Sequence, residues 1–558
     1  MERLYLHANN AWEQHDTITL AATGALVGVA LHLFHWRRGL RTPQAAQIFW
    51  SHVAVFSIIT AISIYSHGLL HGITTAAAIN GSYLAGVYTS MAVYRVFFHR
   101  LSRFPGPLSV KVSKLASVWH ARHLKSHDKL DASHKKYGDF YRAGPLDIVC
   151  CSADAVQKIM GANSPCTKRG MGVFEIFDLH GGFSLEAILD TDTHRARRQI
   201  WDRAQNSQAM AKYEKHTRSV MRTWLGRLAD LEGTPIEISG AVLLVAFDNM
   251  GKIGFTKEFG TVATGKPVKW LNLMAAAFTS IARLGGVTWP ILIAKSVGVL
   301  GDIEEFSAIS AATAEDRLKR DDPGLDDLLK YFIEDFRSEK PKSFHSIYDL
   351  YTDAETVLIA ATDTGAASMA WIFFYLTKDP EVKRKLLSEL KPAFGKTLPG
   401  EYTDSDLAQV EYLNAVINEA LRIKPVGGIG SPRLTPPEGI TIDGVWIPGH
   451  VQAFCPPWLL CRSEKYFVHA DEFIPERWTT RPELVIDKRA FIPFNAGRWS
   501  CAGKKTAMML MRFMVAYTLT EYDFEFAPGE DGTAIIRDSV DVTLVKPGKL
   551  NLSFKKSS

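Results

Sequence analysis

The sequence predicts a mainly α-helical protein with small β-sheets, held behind N-terminal transmembrane helices. Three apolar runs occupy the first hundred residues, helix-period stretches broken by Gly and Pro fill the middle, and strand-like segments are few and short. No linker composition marks the chain after residue 104. The 558 residues therefore divide into an anchor, 1–103, with about three transmembrane helices, and one large domain, 104–558.

Residues 18–34, 53–70 and 76–94 each approach the roughly 20 residues needed to cross a bilayer. Arg37, Arg38 and Arg41 follow the first run, and Arg95, Arg100 and Arg103 follow the third. The connection after the second has no Lys or Arg, so residues 35–48 and everything beyond Arg95 are expected in the cytosol, with a lumenal N-terminus. The second run, with His67 and several serines, is the weakest. A buried helical hairpin is the alternative for all three. Arg103-Phe-Pro-Gly-Pro107 breaks any continuing helix and makes a stiff hinge.

Charge and cysteine usage narrow the function classes. A net charge of +5 gives no case for nucleic acid. Six cysteines show neither paired-zinc spacing nor a disulfide framework, as expected of reduced thiols on a cytosolic domain.

Along the domain, residues 138–144 and 146–151 read as strands, 152–160 as a helix and 161–190 as a long functional loop. On a helix through 192–198, His194 and Arg198 share a face. Residues 207–350 read as amphipathic helices, with 317–327 a charged surface connection and 281–290 a membrane-facing or substrate-roof segment. A helix over 353–376, with Asp353 as its N-cap, carries Asp363 and Thr364 in an otherwise apolar centre. Thr364 beside Gly365 is expected to bond back one turn and open the helix slightly; a polar seam against another helix is the alternative. Glu419 and Arg422, three apart, can pair on one helix face, and residues 440–448 read as a hairpin with an Asp-Gly turn.

The most informative stretch is Phe494-x-x-Gly497-x-x-x-Cys501-x-Gly503, followed at once by a helical run. Gly497 permits a tight turn, and Gly503 lets the helix lie close under a flat group. A cysteine at a helix N-terminus is expected to have a lowered pKa, which suits a thiolate metal ligand. From the residues alone, a buried free cysteine beside an amphipathic helix is the other reading.

This loop resembles the haem-binding loop of the cytochrome P450 superfamily, and the three-run anchor and Phe473-Ile-Pro-Glu-Arg477-Trp resemble fungal members acting in secondary metabolism, of the tryprostatin hydroxylase type. The resemblance implies the cytochrome P450 fold and a haem b with Cys501 as the iron ligand. It implies haem contacts from His194, Arg198, Arg433, Phe494, Gly497, Arg498 and Gly503, an acid–alcohol pair of Asp363 and Thr364 for proton delivery, and a structural network of Glu419, Arg422 and Arg477. Val426 and Ile429 are expected to face substrate. One departure is plain: the family places an arginine two residues before the cysteine, where this chain has Trp499, with Arg498 one step earlier.

The implied activity is monooxygenation of a lipophilic small molecule such as a terpenoid, polyketide or prenylated alkaloid. Xenobiotic or fatty-acid hydroxylation, or a non-catalytic haem-binding membrane protein, are the alternatives. No flavin or nicotinamide fingerprint occurs, so electrons from NADPH are expected through NADPH–cytochrome P450 reductase, with cytochrome b5 as a further partner. The reductase is expected on Lys504, Lys505 and Arg512, with Arg195 or Arg197 as further docking cations. The implied location is the endoplasmic reticulum membrane, with the catalytic domain facing the cytosol.

Overall fold

The computed structural model describes residues 17–37, 41–168, 182–320, 322, 324–394 and 402–557. Arg38 and residues 169–181 of the expected long loop lie outside them.

Three helices open the described residues. Helix α1, Thr17–Leu31, runs on into a π-helical turn, His32–Trp36. Helices α2, Ala45–His67, and α3, Leu69–Val93, are separated by Gly68 at φ +76°. Thr17–Trp36 and Thr42–His67 are long and apolar enough to cross a membrane; α3, rich in Gly, Ser and Thr, does not reach that measure. The second run is therefore stronger than the sequence suggests, and the third weaker. Two further helices pass on composition, Ile238–Phe255 and Ile347–Lys378, but these are core elements of the domain, 72% and 78% buried. Ile18, Leu26, Phe34, Ile58 and Leu70 point outward from the first three helices, as lipid contact requires.

Small residues bring α1 and α3 together. A Cβ on Gly28 would lie 2.3 Å from Tyr83 O and one on Gly86 2.2 Å from Ala25 O, so any side chain there would force the backbones apart. The arginines that follow α3 grip the domain: Arg95 donates to Val112 O at 2.7 Å, Arg100 to Gly449 O at 2.7 Å, and Arg103 to Trp446 O. The Pro-Gly-Pro hinge is stitched to the first strand by Arg142 N–H on Pro105 O at 2.7 Å.

Two apolar cores build the domain. The larger lies among helices α4, Thr191–Arg203, α5, Ser207–Asp230, α6, Ile238–Phe255, α7, Ile347–Lys378, α8, Glu411–Ile423, and α9, Lys504–Glu521. The smaller packs under a four-stranded sheet ordered Phe140–Arg142, Asp147–Cys150, Gln452–Phe454, Arg433–Leu434. A three-stranded sheet joins Ile236–Glu237, Asn551–Lys556 and Tyr522–Phe526, and the expected hairpin forms from Ile440–Ile442 and Val445–Ile447, with Asp443 and Gly444 both at positive φ. All six cysteines are free.

Three expectations are corrected. Helix α7 begins at Ile347, not Asp353; Ser346 caps it in a reciprocal box with Asp349. Asp353, fully buried, instead accepts from Arg197 at 2.7 Å. Arg317 and Asp327, read as ends of a surface connection, form a buried ion pair at 2.5 Å that closes the segment against Thr256.

Candidate active site

The cysteine loop is held by its own backbone and by the segment beneath it. Cys501 N–H donates to Phe494 O at 2.9 Å, and Ser500 N–H to Gly497 O at 3.1 Å. Gly497 sits at φ +67°, and a Cβ there would stand 2.0 Å from Met160 O, so both conformation and space demand glycine. Gly503 is not crowded by protein: a Cβ there would meet only Cys501 Sγ, at 3.9 Å, leaving that side open to a flat group.

Cys501 is the one exposed cysteine, yet protein atoms surround its thiol, so the exposure is to an inner wall. Burial pushes its pKa up, against the pull of the Gly503 N–H. The lowered pKa expected from the helix N-terminus is therefore overturned: desolvation of the charged sulfur outweighs the dipole. A thiol in that setting ionises when a metal cation takes it, because a coordinating thiol is deprotonated outright.

Helix α7 packs against α9, the helix that follows the cysteine loop. Gly365 packs on Leu510 of α9, with 3.6 Å from its would-be Cβ to Leu510 Cδ2. Thr364 donates its hydroxyl back to Ala360 O as expected, and Ser368 to Thr364 O at 2.9 Å, but the helix runs unbroken from Ile347 to Lys378. Asp363, 4% exposed, pairs with Lys546 at 2.5 Å. That lysine lies on the strand Val545–Lys546, far along the chain, and no local pattern in the sequence points to it.

The side chains of Glu419, Arg422 and Arg477 come together with no solvent exposure on any of the three. Arg422 is bidentate on Glu419, both bonds 2.9 Å, and Arg477 Nε reaches Glu419 Oε1 at 2.8 Å. The indole N–H of Trp478, whose part the sequence does not reveal, adds a bond at 2.9 Å. Remaining guanidinium donors go to the carbonyls of Cys461, Ala470, Glu472, Val468, His469 and Leu484. One buried carboxylate thus ties α8 to the segment that leads into the cysteine loop.

The cofactor-binding candidates divide into two sets. Arg198 donates to Ser500 O at 2.7 Å and pairs with Asp202; Arg498 donates to Ala162 O and Ser164 O at 3.0 and 2.8 Å. Both join the cysteine loop to its neighbours. His194 and Arg433 are buried. The His194 ring lies 4.0 Å from that of Trp499, and burial, then Lys168, Arg198, Arg433 and Arg498 around it, push its pKa down to about 3. Arg433 is fully buried, yet its Nε and one Nη, like the indole N–H of Trp499, have no hydrogen-bond partner among the described residues. Buried donors without acceptors, beside an accessible thiol, fit a group that carries both a metal for the sulfur and acidic substituents for the cations. Haem is such a group.

Val426 is buried and its carbonyl accepts from Val545 N–H, while Ile429 is 39% exposed. On the outer surface Lys504 and Lys505 are exposed. Arg512 is committed to Asp404 and Asn414, both at 2.9 Å, and Arg197 is buried, so neither is an open docking cation. Arg195 is exposed and paired with Asp192.

Comparison with known proteins agrees with this geometry. The family model described as Cytochrome P450 matches residues 105–554. The chain is 33% identical over 494 residues to the cytochrome P450 monooxygenase sthD of Phaeosphaeria nodorum, covering 85% of this chain and 98% of that protein. It is 30% identical over 550 residues to the cytochrome P450 monooxygenase FCK2 of Fusarium pseudograminearum, covering 95% and 96%. It is also 30% identical over 523 residues to a tryprostatin B 6-hydroxylase of Neosartorya fischeri, covering 92% and 93%.

Proposed function

The chain belongs to the cytochrome P450 family and is a monooxygenase of it, and we propose that it inserts one oxygen atom from O2 into a lipophilic fungal secondary metabolite. The observation that carries this reading is Cys501, its thiol accessible from an inner wall between Gly497 and Gly503, with α7 and its acid–alcohol pair packed against the helix that follows. Similarity to a tryprostatin B 6-hydroxylase supports hydroxylation of a prenylated alkaloid, with terpenoids and polyketides as neighbouring classes.

Cys501 would hold haem iron, with Phe494, Gly497 and Gly503 shaping the loop beneath it and His194, Arg198, Arg433 and Arg498 at its acidic edge. Bound there, haem supplies the dioxygen activation that no side chain can. The chain's own part is to exclude water and move protons. The Thr364 hydroxyl, now bonded to Ala360 O, would hand on the proton, and the Asp363 carboxylate, held by Lys546, would relay protons towards it. Glu419, Arg422 and Arg477 keep the cysteine loop rigid.

Residues 1–103 anchor the enzyme in the endoplasmic reticulum membrane and 104–558 face the cytosol. NADPH–cytochrome P450 reductase, with cytochrome b5 as a second donor, docks over Lys504 and Lys505. The test is a reduced carbon-monoxide spectrum of the full chain and of Cys501→Ala, followed by NADPH consumption and product analysis with reductase supplied. A thiolate-type band in the parent, lost in the variant, and turnover on an alkaloid or terpenoid panel are expected. A band that survives the substitution would sink the reading.

A further inference from the structure

Asp541 is a buried acid to which the fold brings no cation. It is 9% exposed, no Lys, Arg or His among the described residues pairs with its carboxylate, and the Thr543 N–H is its hydrogen-bond donor. An unpaired carboxyl in that setting lowers stability, so a role outside folding is the simplest account of it. Three remote segments fix its place. The strands Val540–Asp541 and Val545–Lys546 pair antiparallel, with Asp541 opposite Val545. Asp541 N–H donates to Leu124 O at 2.7 Å and Val545 N–H to Val426 O at 2.8 Å, while Lys546 holds Asp363. Asp541 Oδ2 lies 3.5 Å from where a Cβ on Gly428 would stand, so the carboxylate borders the glycine run from Gly427 to Gly430. A Cβ on Gly427 would meet nothing within 4 Å, and Ile429, two residues on, is 39% exposed, so space stays open along that run. The turn between the strands is itself unusual: Thr543, β-branched, sits at φ +72° and is the residue that donates to Asp541.

Resting on the haem-thiolate reading, we infer that Asp541 is a specificity-determining residue whose carboxylate receives a basic nitrogen of the substrate. The substrate class is then a lipophilic amine, an alkaloid before a neutral terpenoid or polyketide. The glycine run leaves room beside the carboxylate for the ammonium and the carbon framework attached to it. One strand residue along from Val545, Lys546 holds Asp363, which precedes Thr364, so an amine on Asp541 is anchored by the same hairpin that holds the acid–alcohol pair. The ammonium supplies the counter-charge that the fold itself leaves out.

The experiment uses the full-length holoprotein in detergent and two probes of one shape. These are N,N-dimethyltryptamine and its uncharged carbon isostere, the isopentylindole substituted at the same ring carbon. Equilibrium dialysis at slightly alkaline pH gives the affinity of each, and the reduced carbon-monoxide spectrum is recorded for every variant. The parent should bind the amine about tenfold tighter than the isostere or more, as one hydrogen bond between charged groups implies. Asp541→Asn keeps the shape and deletes the charge. It should erase that preference, with the isostere still bound and the thiolate-type band kept. Asp541→Leu should do the same, and it carries the test should Asp541→Asn fail to hold haem. A parent with no preference for the amine, one that binds neither probe included, would overturn the assignment. So would a preference that survives the substitutions. A parent without the thiolate-type band sinks the haem-thiolate reading itself, whereas a normal band without the preference sinks only this inference.

Discussion

Lys546 Nζ stands 2.5 Å from Asp363 Oδ2, an ion pair that joins a short C-terminal strand to the middle of α7. Asp363 is 4% exposed, and Lys546 is the cation that compensates it. Lys546→Met should lower stability by about 1–3 kcal/mol, less than a fully buried pair because the lysine is partly solvated. It should also lower product formed per NADPH. Thermal unfolding and a product-to-NADPH ratio check both; unchanged coupling would remove Lys546 from the proton route.

Thr364 lies on the same face of the reaction. Thr364→Ala removes the hydroxyl that bonds to Ala360 O and nothing from the core, so the fold should be unaffected. NADPH consumption should continue while product falls several-fold and peroxide accumulates. Peroxide at the parental level would show that another group delivers the proton.

Glu419 is the single acceptor shared by two buried guanidinium groups and an indole. Glu419→Gln keeps the shape and deletes the charge. Leaving Arg422 and Arg477 uncompensated should cost about 3–5 kcal/mol and prevent accumulation of holoprotein. Expression yield and haem content are the readouts, and a well-expressed, haem-loaded variant would contradict the network's role.

Arg197 and Lys504 separate structure from docking. Arg197 is buried on Asp353, so Arg197→Ala should destabilise by about 3–5 kcal/mol. Lys504 is exposed, so Lys504→Ala should change stability by no more than about 0.5 kcal/mol while slowing reduction by the reductase, most at low salt. Stopped-flow reduction and thermal melts on both variants distinguish the two.

Asp541 carries a pH dependence. Burial pushes its carboxyl pKa up to about 6 from 3.8, with the Thr543 N–H pulling the other way. Between those values the folded chain keeps a proton that the unfolded chain releases, so stability falls as pH rises from about 4 to 6. At pH 7.5 the penalty is at most about 3 kcal/mol, and Asp541→Asn should recover about 1–3 kcal/mol of it. Melts of parent and variant at pH 4 and 7.5 test this; an equal difference at both would refute it.

Much of this protein lies open in local pattern. Glycines, a cysteine and the helix after it are neighbours in the chain, so the loop from Phe494 to Gly503 folds as it reads, and Glu419 with Arg422 needs only helical spacing. The same holds for the helices of the N-terminal apolar runs, though not for their relative strength, and for the Asp443-Gly444 turn. Charges misled where the partner is remote. Arg197 and Arg317 look like surface cations until Asp353 and Asp327 meet them in the core, and Asp353 looks like a cap until α7 proves to start six residues earlier.

Local pattern alone therefore supplies the residues on offer: a cysteine on a glycine loop, an aspartate and a threonine side by side on a long helix, and apolar helices ahead of the residues that match the family. Packing of remote segments settled which cation serves which acid and which buried donors have no partner among the described residues. Local spacing sets the shape of a loop or a helix face, but a buried charge takes its partner and its titration from groups brought near by packing alone. Lys546 on Asp363, and Lys168 beside Trp499 and Arg433, are of that second kind.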